Sequence, residues 1–214
     1  MANLRRRQLS SKAMQGRNHL LRNLYSSSNE WNIPDLKKVD IEINDVKLIA
    51  ADRLQKVRNA DRSKFVHFFL NDLKLETYYN KYIIHPTKLA LFAGVLTPDF
   101  SLYRDMPLAV QMMNTFKNRW CGAFWQEWGF TVIPTMSWST EESYKFCFLG
   151  VPQQSVVAIS SVGVLGKDKE FFLSGYREMM KRLQPKTVIC QGRPFVEAEQ
   201  NTIFVPYDYR GGRD

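Results

Sequence analysis

The signatures by which many soluble enzymes reveal their chemistry are missing from this chain, and each absence closes a class. Cys121, Cys147 and Cys190 lie far apart, form no C-x-x-C pair and each sits in an apolar segment. That excludes a zinc ribbon or disulfide framework and predicts buried free thiols in a reducing compartment. His19, His67 and His85 stand at no metal-ligand spacing and close to no nucleophile in sequence. His67 falls within a strand and reads as a core or edge histidine. No G-x-G-x-x-G opens a helix after a strand and no G-x-S-x-G elbow is present, so the dinucleotide and α/β-hydrolase signatures are excluded. Gly163 to Asp168 has too few residues between its glycines, and no Ser or Thr after Lys167, to be a phosphate-binding loop. Pro98-Asp99 opens like a nuclease signature, yet no D-x-K or E-x-K follows on the next strand. Arg210-Gly211-Gly212 alone is too little for an RNA-binding repeat. The longest apolar run, 89–96, is too short to span a bilayer, and no secretory apolar region follows the basic start, so a soluble cytoplasmic protein is expected.

Acid is missing from one place in particular. Residues 1–29 contain Arg5, Arg6, Arg7, Lys12, Arg17 and Arg22 but no Asp or Glu, which is six of the net nine positive charges and leaves three for the remainder. The other residues there are mostly Ser, Asn, Gln and scattered Leu, a mix that buries too little apolar surface to offset its ordering entropy. Residues 1–33 therefore read as a flexible basic arm that contacts nucleic-acid phosphates through those six side chains, or as a solvated tail. Residues 34–214 read as a single domain, since 44% hydrophobic content over 214 residues supplies a substantial core.

Within that domain apolar runs alternate with helical patterns. Strands are expected over 65–70, 89–96, 130–135, 155–159 and 187–190, with helices over 72–82, 106–128, 140–149 and 168–183. A short strand or hairpin is expected over 41–51, and a helix or loop over 52–64 whose bases form a solvated face or extend the positive surface of the N-terminal segment. Such alternation predicts an α/β fold with a mainly parallel sheet of about five strands and helical crossovers, either an open three-layer sheet or a partial barrel. Residues 202–205 add an edge strand, expected antiparallel. Ser139 with Glu142 has capping-box spacing, and Asp105 and Asp168 precede helices as caps. In the long helix, Val110, Met113, Trp120 and Phe124 recur at helical spacing and predict the buried stripe.

Three motifs stand in order: LTPDFSLY at 96–103, PTMSW at 134–138 and FCFLG at 146–150. Together they resemble the hallmark of an uncharacterised bacterial, phage and mobile-element family, a domain of unknown function, over roughly residues 65–192. The resemblance implies a mobile-element origin and carries no activity, cofactor or catalytic residue with it.

Position then selects the candidate site. Parallel α/β sheets bind ligands at the carboxyl ends of their strands, where loops and helix N-termini converge. The residues there are Asn71 and Asp72, Asp99 and Ser101, Ser137 and Trp138, Ser160 and Ser161, and Gln191 and Arg193. Asp72, Asp99, Ser101 and Ser137 are candidate catalytic groups, and Trp138, Ser160, Ser161, Gln191 and Arg193 candidate ligand contacts. Two carboxylates on neighbouring strands can act as acid and base or hold a divalent metal, and Trp138 can stack a base or sugar. The bland reading makes Asp72 and Asp99 caps and Trp138 a core lid. Three functions follow: a protein acting on nucleic acid through its arm, an enzyme on a nucleotide or other small ligand at the strand ends, or an interaction protein that inhibits or recruits a host factor.

Overall fold

The structure, a computed structural model, describes residues 16, 22, 24–42, 45–56, 62–195 and 197–207. Seven strands, β1 (Leu48–Ala50), β2 (Phe65–His67), β3 (Gly94–Leu96), β4 (Val132–Ile133), β5 (Val156–Ser160), β6 (Thr187–Gln191) and β7 (Thr202–Val205), pair in sequence order. The α-helices that lie wholly among the described residues are α1 (Asp72–Asn80), α2 (Pro86–Leu89), α3 (Leu108–Glu127) and α4 (Lys169–Leu183). Every pairing is parallel. The β1 to β4 sheet joins the β5 to β7 sheet where Thr135 bridges Ala158, with Met136 N donating to Ala158 O at 2.7 Å and Ala158 N to Pro134 O at 2.8 Å.

Side-chain alternation decides between the two sheet forms. Leu48, Phe65, Leu96, Ile133, Ala158 and Ile189 from six strands, with Ile203 from the seventh, meet in one inner cluster that contains no helix residue. Their neighbours point outward, Val66, Val95 and Val132 against α1 and α3, and Val157, Ile159 and Val188 against α4. A sheet whose inner faces converge on one another is curled, so the fold is a partial barrel with outer helices. The amino end is stoppered by Val39 and Val46, which join the inner cluster, and Val39 N donates to Ser155 Oγ. Among the described residues β1 and β7 are the edges.

Several local expectations are corrected. β7 is parallel, because residues 192–201 make an irregular crossover anchored by Phe195 against Phe172, Tyr176 and Phe204. The strand expected over 89–96 shrinks to β3, since Pro86 starts a helical turn and periodicity cannot tell a short buried helix from a strand. At Gly94 a Cβ would meet the Phe65 ring and Thr131 O, which fixes glycine where the strands approach. The helix expected over 140–149 is only a 3-10 turn, Glu141–Lys145. None of the three expected side-chain capping bonds forms, although Asp168 stands at the N-cap of α4. Thr140 and Pro107 are the N-caps without side-chain bonds, and Asp168 pairs with Arg104 instead.

The largest correction concerns α3. Val110 and Met113, expected in the core, are 45% and 51% exposed, whereas Gln111, Asn114, Asn118 and Arg119 are buried. Upstream, Met112 and Phe116 are partly buried against the cores, and from Trp120 onward the rings turn fully inward, where Trp120 and Phe124 stack at 5.5 Å. Upstream of Pro34 the chain is already in contact with the body. Ile33 is buried in the α4-side cluster, and Tyr25 rests edge-on against Trp120.

Candidate functional site

The buried amides of α3 carry the site. Gln111 Nε2 donates to Tyr103 O and Met106 O, Asn114 Nδ2 to Ser101 O, and Asn118 Nδ2 to Pro98 O and Thr135 O. Arg119 donates to Leu149 O, Thr135 O and Cys147 O, and to Asn118 Oδ1. One face of one helix thus satisfies the backbone carbonyls of all three motif segments, loops that have no ladder of their own. No carboxylate pairs with Arg119 among the described residues, and burial lowers its pKa to about 10, which leaves it charged at neutral pH. Thr97 and Thr135 lock the β3 and β4 ends reciprocally, Thr135 N donating to Thr97 Oγ1 and Thr135 Oγ1 to Thr97 O, both at 2.7 Å.

On this scaffold the carboxyl ends of the strands open into a cleft of about 640 Å³. Its floor holds His67, Asp99, Ser160 and Gln191, and Arg53, Lys64 and Lys74 stand on its walls with Asp52. Asp99 accepts a hydrogen bond from Ser137 Oγ across the β3 and β4 ends and does not cap its own turn. Burial, opposed by the Ser137 bond and reinforced by the neighbouring Asp72 carboxylate, pushes its pKa up to about 6. Burial likewise pushes His67 down to about 4, with Asp52 opposing the shift and Arg53 adding to it, so the imidazole is neutral near pH 7.

Phe69 N donates to His67 Nδ1 at 3.4 Å, which places the single proton of a neutral ring on Nε2. Gln191 Nε2 lies 3.3 Å from His67 Nε2, and half a turn of the amide would set its carbonyl against that proton. Its other amide atom is buried in the cleft wall without a partner.

A second cavity of about 460 Å³ adjoins the first and shares Asp99, Ser101 and Val162 with it. Ser137 and Trp138 line this one, Trp138 packing on Phe172 and against Gly175, where a Cβ would collide with the indole.

The strand-end residues therefore divide. Asp99, Ser101, Ser137, Trp138, Ser160 and Gln191 line one or both cavities. Asp72 lines neither, because its Oδ1 accepts from Ser101 N at 3.0 Å and is engaged in holding that loop. Ser161 Oγ is turned to Arg193 O, and the Arg193 side chain is exposed and off both walls. Sequence reasoning passed over His67, Arg53, Lys64 and Lys74. The signal available was position, since Arg53 and His67 fall at or just past strand ends. Among the described residues no group of three or more His, Cys, Asp or Glu is arranged to hold a metal ion, and no helix is long and apolar enough to cross a membrane.

Of the six basic arm residues, Arg5, Arg6, Arg7, Lys12 and Arg17 lie outside the described residues. Arg22 is laid over the Tyr79 ring at 3.8 Å and donates to Tyr79 O and Asn80 Oδ1, which ties its segment to α1.

With this geometry in place, comparison with known proteins assigns the family. A model described as "Domain of unknown function (DUF4417)" matches residues 25–208. The chain belongs to the DUF4417 family. Two phage proteins are also similar to this chain. The "Gene 1 protein" of Mycobacterium phage L5 is 38% identical over 177 residues, 81% of this chain and 76% of the phage protein. The "Gene 1 protein" of Mycobacterium phage D29 is 37% identical over 178 residues, and this chain spans 64% of its length. No solved structure matches the chain. The DUF4417 match spans β1 to β7 and therefore both cavities.

Proposed function

We propose that this phage-associated protein binds a phosphate-bearing organic ligand of nucleotide size in the strand-end cleft, with Asp99 as the group that exchanges a proton with it. The observation that carries the reading is the composition of one concavity. Arg53, Lys64 and Lys74 outnumber on its walls the one carboxylate, Asp52, to which Lys74 Nζ donates at 2.9 Å, and its floor holds a carboxyl with a pKa raised to about 6 beside neutral donors and acceptors. Cationic walls favour an anion, and a carboxyl poised near neutrality is suited to acid and base work. The volume suits a ligand of that size.

Calorimetry with inorganic pyrophosphate on the full chain tests it. Binding should weaken about tenfold in Lys74→Ala, the loss of one charge-assisted contact. An anion near Asp99 raises its pKa further, so proton uptake on binding, measured in two buffers near pH 6.5, should be larger in the parent than in Asp99→Asn. Absent binding, or binding indifferent to Lys74, removes the reading.

A second reading has its own support in the acid-free residues 1–29: contact with nucleic-acid phosphates through Arg5, Arg6, Arg7, Lys12 and Arg17. Arg22 adds less, its guanidinium being engaged by Tyr79 and Asn80.

A further inference from the structure

The second cavity is built from different material than the first. Trp138, Phe171 and Phe172 line it with Leu102 and Tyr103, and Phe171 and Tyr103 are 50% and 60% exposed. Leu102, Trp138 and Phe172 also pack on the α4-side core, whereas the exposed Phe171 and Tyr103 rings belong to none of the described core clusters, and a ring-lined hollow is the usual receiver of a planar apolar group. Arg104 lies over Phe171 at 4.4 Å and pairs with Asp168 at 2.5 Å, so one edge of the hollow is held by a strap between the loop after β3 and the start of α4.

Independently of the rings, Ser139 stands on this wall at 6% exposure, and its Oγ has no hydrogen-bond partner. Its backbone N–H is satisfied by Ser143 Oγ, so the spare capacity belongs to the side chain alone. A buried hydroxyl without a partner is costly unless a ligand completes it.

Resting on the proposed function above, we infer that the two cavities form one bipartite site. The cationic cleft takes the phosphate end, and the aromatic cavity takes the heteroaromatic ring of the same molecule, a nucleobase or a ring like it, with Ser139 Oγ bonding to the ring edge. The shared wall decides how the halves are joined. Asp99, Ser101 and Val162 belong to both cavities, so a ligand filling both passes over the Asp99 carboxyl with its connecting atoms, and bond changes there lie between ring and phosphate. The substrate class is thus a nucleotide or a sugar phosphate bearing an aromatic ring, in place of a bare phosphate compound.

The test uses the full chain with adenosine, ribose 5-phosphate, inorganic pyrophosphate and the four ribonucleoside monophosphates as probes, read by calorimetry and by Trp fluorescence. Phe171→Ala removes a half-exposed ring outside the core, and Ser139→Ala removes only the hydroxyl, so at least one variant will fold. At least one monophosphate should bind tenfold or more tightly than ribose 5-phosphate, quench Trp fluorescence, and lose that advantage in Phe171→Ala or Ser139→Ala. Pyrophosphate binding should stay unchanged in both variants. If monophosphates bind no better than ribose 5-phosphate, or are indifferent to both substitutions, the aromatic cavity is not part of the site, while the anion-binding reading stands on its pyrophosphate result. If no monophosphate binds at all, the bipartite site is overturned, and pyrophosphate alone then decides whether the cleft binds anions.

Discussion

Asp99 and His67 sit in the same cleft with pKa values displaced in opposite directions, and their linkage to stability has opposite signs. Asp99, raised to about 6, keeps its proton longer in the folded chain, so its contribution is present below pH 4 and is lost as pH rises through 6. His67, lowered to about 4, is neutral when folded, so its contribution is present above pH 6.5 and is lost as pH falls towards 4. Between pH 4 and 6 the two slopes oppose each other. Asp99→Asn retains an acceptor for Ser137 and removes one slope. The variant should gain up to about 3 kcal/mol over the parent at pH 7.5, and the gain should vanish near pH 4. Its stability should accordingly fall more steeply than the parent's on acidification from pH 6 to pH 4. Urea unfolding at the two pH values reads this directly, and a variant that loses several kcal/mol at pH 7.5 would make the carboxylate a structural anchor instead. A carboxyl whose charge costs stability near neutral pH fits the proton-exchanging role proposed for Asp99, as a stability and activity trade-off at one side chain.

Helix α3 changes its role along its length. As far as Arg119 it turns polar side chains inward to hold the loops after β3 and β4, with Met112 and Phe116 partly buried beside them, and from Trp120 it turns rings inward to build the outer core. Asn118→Leu keeps the branching and number of side-chain heavy atoms but strips donors from Pro98 O and Thr135 O and an acceptor from Arg119, and should cost roughly 3 kcal/mol. It should also loosen the Asp99 and Ser137 contact and with it ligand binding in the cleft. By contrast Val110→Lys and Met113→Lys, on the exposed face, should each stay within about 0.5 kcal/mol of the parent. A stripe read from periodicity alone orders these two outcomes the other way. The apolar residues at 110 and 113 do recur at helical spacing, but periodicity reports only which residues share a face. Which face is buried is set by what the face must satisfy, and here that is a set of orphan carbonyls contributed by three distant segments.

At the scale of the whole molecule, charge is tested apart from the fold. If the arm contacts duplex DNA through the five basic residues that lie outside the described ones, the log-log salt dependence of non-specific binding should have a slope of roughly −4.5. Removal of residues 1–21 should abolish that binding and leave Arg22 on Tyr79, so the thermal midpoint should hardly move; retention on nucleic acid by the truncated chain would place the contact elsewhere.

The α/β class, the order of the main elements, the parallel pairing of the core strands and the polar strand ends were legible in the sequence. Each follows from local facts, namely apolar runs short enough for strands, helical spacing between them, and the rule that crossovers return strands in parallel. The neighbourhood of Asp99 and Ser137 was legible for the same reason, since both follow the apolar end of a strand. Tertiary structure alone decided the rest. It curled the sheet so that alternate side chains of seven strands meet, turned β7 parallel through an irregular crossover, drew Asp72 into holding a loop, and left Arg193 outside. It also divided the strand ends into a charged and an aromatic cavity with Asp99 between them. These outcomes depend on which groups distant in sequence complete one another's hydrogen bonds and fill one another's space, and neither composition nor period carries that information.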